Sequence, residues 1–198
     1  MYRTIPGETG YRFGTLLRFE APFLVADGYS LISDTKLSLS WSMPWIDDHV
    51  LFMMLRYGLT LSTNAFRNAF RVSSSTQFEF NEPLMLHGYR TGNIMGNQLL
   101  YGHIDYTFPV TVLRNGFTNV PIGLNRIGLG LYAEAAIIWN EITGSDFDIM
   151  KTKSSIGVDL YLDGTLGYNY NFRLKIGYGG GLASGGDQSY YMEFSFMP

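Results

Sequence analysis

Apolar and polar residues alternate with period two along most of the chain, as expected for strands with one apolar and one polar face. Tyr11, Phe13, Leu17, Phe19, Ala21 and Phe23 share one parity, and Arg12, Arg18 and Glu20 hold the other. Leu37, Leu39, Trp41 and Met43 then oppose Asp34, Lys36, Ser38, Ser40 and Ser42. Leu51, Met53, Leu55, Tyr57, Leu59 and Leu61 oppose Arg56, Thr60 and Ser62. A fourth segment, 66–80, sets Phe66, Phe70, Val72, Phe78 and Phe80 against Arg67, Arg71, Gln77 and Glu79.

After a Gly/Asn-rich stretch the alternation resumes. Leu100, Ile104, Tyr106, Phe108, Val110 and Val112 face His103, Asp105, Thr107 and Thr111. Leu129, Leu131, Ala133, Ala135, Ile137 and Trp139 face Tyr132, Glu134 and Asn140. Ile156, Val158, Leu160, Leu162 and Leu166 face Ser155, Asp159, Asp163 and Thr165. Phe172, Leu174, Ile176 and Tyr178 face Arg173, Lys175 and Gly177, and Tyr190, Met192, Phe194 and Phe196 face Ser189, Glu193 and Ser195. Helical spacing is nowhere sustained. The pattern predicts nine strands and an all-β chain.

Alternation leaves open which face is inside. Several segments exceed ten residues, against about 5–6 for ordinary globular strands and about 9–11 for a strand that crosses a bilayer. Charges sit in mid-strand on the polar parity. Tyr11, Phe23, Trp41, Trp45, Trp139 and Tyr168 gather near strand ends, where the aromatic girdles of a membrane barrel belong. The expectation is a transmembrane antiparallel up-and-down β-barrel, one domain over 1–198 with a large loop at 81–97. The alternative is a soluble lipocalin-like barrel with its apolar face inward. Arginine is expected to be costly at Leu160, on the lipid side, and tolerated at neighbouring Asp159.

Composition narrows the field further. The net charge of −3 and pI near 5.5 offer nothing to nucleic acid. The chain has no cysteine, which excludes a disulfide framework and thiolate metal sites. Mean hydropathy of +0.02 is far too low for a helical membrane protein, and no apolar run approaches the roughly 20 residues of a membrane-spanning helix. The opening residues Met1–Gly7 carry no apolar signal-peptide core.

Ala26-Asp27-Gly28, Arg114-Asn115-Gly116 and Ser184-Gly185-Gly186 read as turns, and Pro22, Pro44 and Pro109 lie toward strand ends. His103 and Asp105 share the polar face and are candidate metal ligands. A pair on one strand is common, and a third ligand would have to come from elsewhere, so no metal is expected. Ser73–Ser75 and Thr76 have no recognisable His and acid partners for a nucleophilic site. Gly179-Gly180-Gly181 lacks the Gly-Lys-Ser/Thr ending of a phosphate cradle and reads as close strand packing or a kink. The inward set Arg12, Arg18, Arg56, Arg67, Arg71, Arg173 and Lys175, facing Glu20, Asp105, Glu134, Asp159, Asp163 and Glu193, predicts ion pairs filling the lumen. No catalytic residues or cofactor are expected.

Leu86-His87-Gly88-Tyr89, with Gly92 and Gly96, precedes a strand ending Asp105-Tyr106-Thr107-Phe108-Pro109-Val110. Tyr132-Ala133-Glu134-Ala135-Ala136-Ile137-Ile138-Trp139 follows, then Ser155-Ile156-Gly157-Val158, then Leu174-Lys175-Ile176-Gly177-Tyr178 with Gly181-Leu182, and finally a strand whose alternate residues end on Phe196. This order, from about Leu86 to Phe196, resembles the barrel of the outer-membrane insertase and two-partner-secretion superfamily, and most of all its surface-antigen barrels. The resemblance implies that loop 81–97 folds into the lumen and that its signature residue pairs with a strand acid. Here the loop arginine is replaced by His87, the strand aspartate by Glu134 and a strand glycine by Ala136. Such a histidine contact would be weaker than an arginine's and pH-dependent.

The resemblance further implies an outer membrane of Gram-negative type, with a lipid bilayer around the barrel. Its partners would be client outer-membrane proteins, or a periplasmic or complex partner. The expected activity is insertion or export of outer-membrane proteins through a lateral seam beside the closing strand Tyr190, Met192, Phe194 and Phe196. The alternatives are a membrane anchor or structural subunit of a larger complex, and a small passive pore. Nine segments, against the even strand numbers of single-chain bacterial barrels, predict the C-terminal part of a larger, sixteen-stranded type of barrel that starts on the cell surface. The competing count is eight, with 66–80 not spanning.

Overall fold

A computed structural model describes residues 9–20, 30–62, 70–73, 84–89, 95–116, 122–139, 152–167 and 170–197. Its strands are β1 (Gly10–Glu20), β2 (Ser30–Ser42), β3 (Val50–Ser62), β4 (Phe70–Ser73), β5 (Leu84–Met85), β6 (Met95–Gly96), β7 (Gln98–Gly116), β8 (Ile122–Trp139), β9 (Lys153–Leu166), β10 (Tyr170–Gly181) and β11 (Gln188–Met197). Eight of them form one sheet in the order β1-β2-β3-β7-β8-β9-β10-β11. Every neighbouring pair is antiparallel, so the sheet is an up-and-down meander. The chain is all-β among the described residues, as the alternation predicts.

The faces sort by parity. Leu131 is 52% exposed and Phe194 55%, whereas Glu134 is 4% and Asp159 0% exposed. A register slip of one residue would exchange these sets, so burial of the charged face pins the register. The sheet is curled, because inner-face side chains meet across intervening strands. Tyr161 of β9 reaches Asp105 of β7 at 3.3 Å, and Tyr191 of β11 donates to Asp159 of β9.

Three expectations are corrected. The sheet has eight strands, not nine: of segment 66–80, residues 70–73 form β4, which pairs with β5 and β6 in a separate three-stranded sheet. The other residues of that segment lie outside the described ones. The reason is visible at Phe70, whose ring fills the space over Gly58, where a Cβ would fall 2.3 Å away. Gly58 is on the buried face of β3, so this aromatic serves the interior rather than a lipid face. Second, the sheet is not a closed barrel: no ladder joins β1 to β11 among the described residues. Third, with one fewer crossing the ends exchange, and β1 begins at the same end of the sheet as β11 finishes. Residues 1–8, expected on the cell surface, lie outside the described residues.

Local details also shift. Residues 114–116 continue β7 rather than turn, and β8 starts at Ile122, so most of the stretch 113–126 is strand. Pro109 lies within β7 beside a register shift between Pro109 and Thr111, a place where a missing N–H is tolerated. Gly185 has φ of +79° in the turn between β10 and β11, while 26–28 and Pro22 lie outside the described residues. Inside, Leu86, Tyr89, Leu99, Tyr101, Ala136 and Ile138 form a buried cluster with Met54 and Phe70 against it.

Candidate functional site

The inner face carries three carboxylates, each saturated by donors from several strands. The uppermost is Glu134 on β8. Its Oε1 accepts from the His87 backbone N–H at 2.5 Å, from His87 Nδ1 at 2.9 Å and from Ser155 Oγ at 2.7 Å. Its Oε2 accepts from the Tyr101 hydroxyl at 3.0 Å, with His103 Nδ1 at 3.6 Å. The imidazole of His87 lies 4.2 Å from the Tyr191 ring and 5.0 Å from that of Tyr132. Loop residue and strand acid, which the resemblance pairs, are thus in direct contact.

The rest of the loop motif extends this latch. Gly88 has φ of +79°, and an added Cβ would fall 2.2 Å from the Gly181 nitrogen, so only glycine fits. The Gly88 N–H donates to Ser189 Oγ at 3.0 Å, and its carbonyl accepts from the Asp187 N–H at 2.8 Å. The Tyr89 hydroxyl donates to the Ser154 carbonyl at 2.9 Å and accepts from the Ala183 N–H at 3.0 Å. Leu86 is fully buried in the apolar cluster. Four consecutive residues therefore tie the long connection between β3 and β7 to β8, β9 and the β10–β11 hairpin.

Asp159 on β9 takes Lys175 Nζ at 2.8 Å, the Tyr161 hydroxyl at 3.1 Å and the Tyr191 hydroxyl. The Lys175 ammonium lies 5.3 Å from the Tyr191 ring centre and 5.7 Å from that of Tyr161, where the ring faces attract it. Lower still, Asp163 is clamped by Arg173 Nε at 2.6 Å and Arg126 Nη2 at 2.7 Å. Asp105 accepts only longer bonds, from Tyr161 at 3.3 Å and Thr107 at 3.4 Å. Away from these, Arg56 holds Asp34 with Nη2 at 2.5 Å.

Glu134, Asp105, Asp159, Arg173 and Lys175 thus converge on one inner surface. Tyr190, Met192, Phe194 and Phe196 point outward from β11, the last strand of the described sheet, with Tyr190 79% exposed. The β1–β2 register pairs Arg12 with Ser38 and Arg18 with Ile32, both on the inner face of β2. Arg67, and Ser74, Ser75 and Thr76 of the polar run, lie outside the described residues. Sequence reasoning missed the tyrosines and Arg126. Tyr101, Tyr132, Tyr161 and Tyr191 all fall on the polar parity of their segments, and that placement was the available signal. Gly179 shows the close packing expected of the glycine run: a Cβ there would meet the Tyr132 hydroxyl and His87 Cβ.

The fold and this inner face define a curled, open, antiparallel β-meander with a loop latched against its polar side. No protein-family model, curated protein or solved structure matches the chain.

Proposed function

We propose that the chain forms the wall of an outer-membrane β-barrel of the insertase and secretion type, acting in insertion or export of outer-membrane proteins through a lateral seam. The observation that carries this reading is the combination of an apolar outer face with a sheet that, among the described residues, ends at β11. The eight wall strands run from 10 to 19 residues, enough for a bilayer crossing of about 9–11 residues. Among the described residues no strand pairs with the outer edge of β11, and an edge of this kind offers a template to which an incoming strand can add. The contact of His87 with Glu134 supports the loop placement that the resemblance implies.

The mechanism would need no chemistry. A client strand pairs with the exposed edge, its alternate side chains meeting lipid and lumen, and leaves when its own barrel closes. The latch keeps the last four strands rigid while the seam is used. Depletion of the protein tests this: loss of other barrels from the outer membrane is expected, and unchanged levels of all of them would sink the insertion role. A second reading, a structural anchor, is favoured by the saturation of Glu134, Asp159 and Asp163, which fills the interior with fixed contacts. Undiminished barrel levels with loss of one co-purifying complex would select it.

A further inference from the structure

Between the Glu134 latch and the Asp163 clamp lies a chamber of about 270 Å³, reached by side chains from β3, β7, β8, β9, β10 and β11. Its two cations are already engaged, Lys175 with Asp159 and Arg173 with Asp163. Its acceptors are not. Glu193 lines it and is in no ion pair among the described residues. Asp105 holds only its two long bonds, at 3.3 and 3.4 Å. Phe52, Tyr101 and Tyr161 supply aromatic walls.

We propose that this chamber binds a small organic cation, an alkylammonium or guanidinium group. The carboxylates of Asp105 and Glu193 on the lining of one cavity match the several N–H donors such a head carries. Part-buried carboxylates are stabilised by a cation that hydrogen-bonds to them, and the ring faces add attraction. Among the described residues no three His, Asp or Glu side chains converge closely enough for a metal ion. The proposed guest is larger than a bare ion, with its charge spread over several donors. The same head group occurs on free amines and on the lysine and arginine side chains of a passing polypeptide.

The test is calorimetry on the folded protein in detergent, with n-butylammonium and ethylguanidinium as probes and n-butanol and butyrate as neutral and anionic counterparts. Saturable binding of the cations alone is expected, and a lysine-containing tripeptide that competes would assign the peptide source. The Glu193→Gln and Asp105→Asn variants should each weaken binding by about tenfold, the size of one lost charged hydrogen bond. Equal binding of butanol, absence of saturable cation binding, tighter binding of Mg²⁺ or Ca²⁺, or unchanged affinity in Glu193→Gln would each overturn the proposal. The wild-type comparison stands even where a variant fails to fold.

Discussion

The carboxylate of Glu134 holds His87 by two bonds at once, from the backbone N–H at 2.5 Å and from the imidazole at 2.9 Å. One bond fixes the chain and the other the side chain, so the loop residue is set in both position and rotamer. Replacing Glu134 by alanine leaves these donors, and the hydroxyls of Ser155 and Tyr101, without an acceptor. Each buried donor left unpaired costs about 1–3 kcal/mol. The expected result is release of the loop before loss of the sheet. Chymotrypsin should then cut at Tyr89 in folded Glu134→Ala protein and spare the wild type. Equal resistance of the two would show that Glu134 does not hold the loop.

Gly88 makes the same point through the backbone alone. An alanine there meets a left-handed φ, at about 1–2 kcal/mol, and collides with the main chain of Gly181. Gly88→Ala should therefore expose Tyr89 to protease as Glu134→Ala does, although no charge has changed. The double variant should add little to either single change, because both undo one latch. Fully additive losses of stability in urea titrations would mean that the two residues act separately.

Much of this arrangement was legible in the sequence, for a physical reason. A strand buried on one face must alternate, so the parity of Leu131 and Glu134, or Leu160 and Asp159, fixed both element and facing. The loop contact was legible only through resemblance, because nothing local in Leu86-His87-Gly88-Tyr89 says what it touches. Segment 66–80 misled because alternation records burial and not partnership: Phe70 is apolar to cover Gly58, inside the sheet. Arg126 was hidden for the opposite reason, lying in a stretch whose glycines and asparagines read as a connection. The register shift between Leu124 and Arg126 also interrupts the parity there.

Asp163 joins two arginines that no other described carboxylate holds, one on β8 and one on β10. Removing it, as in Asp163→Ala, leaves two part-buried cations facing each other. Breaking a buried pair in this way costs about 3–5 kcal/mol. The triple variant Asp163→Ala, Arg126→Met, Arg173→Met should recover most of that loss, since it removes the stranded charges as well. Urea midpoints of the folded protein in detergent or vesicles measure both. A triple variant no more stable than the single one would show that packing, not charge, is what Asp163 provides.

The facing of the sheet yields the sharpest test of whether it is a membrane wall. The simplest comparison from sequence, arginine at Leu160 against arginine at Asp159, does not survive the structure. Asp159 is completely buried and bonded to Lys175, Tyr161 and Tyr191, so arginine there would set two cations together in the interior. Alanine at Leu160 is the better control, because it removes the same packing as arginine without adding a charge. Leu160, midway along β9, points to the outer face. If that face meets lipid near the bilayer midplane, Leu160→Arg costs about 2–4 kcal/mol. Leu160→Ala should cost much less, since it places no charge in hydrocarbon. Refolding titrations into lipid vesicles compare the two directly. A Leu160→Arg protein as stable as the wild type, or no less stable than Leu160→Ala, would mean that the outer face meets water and that the membrane reading is wrong.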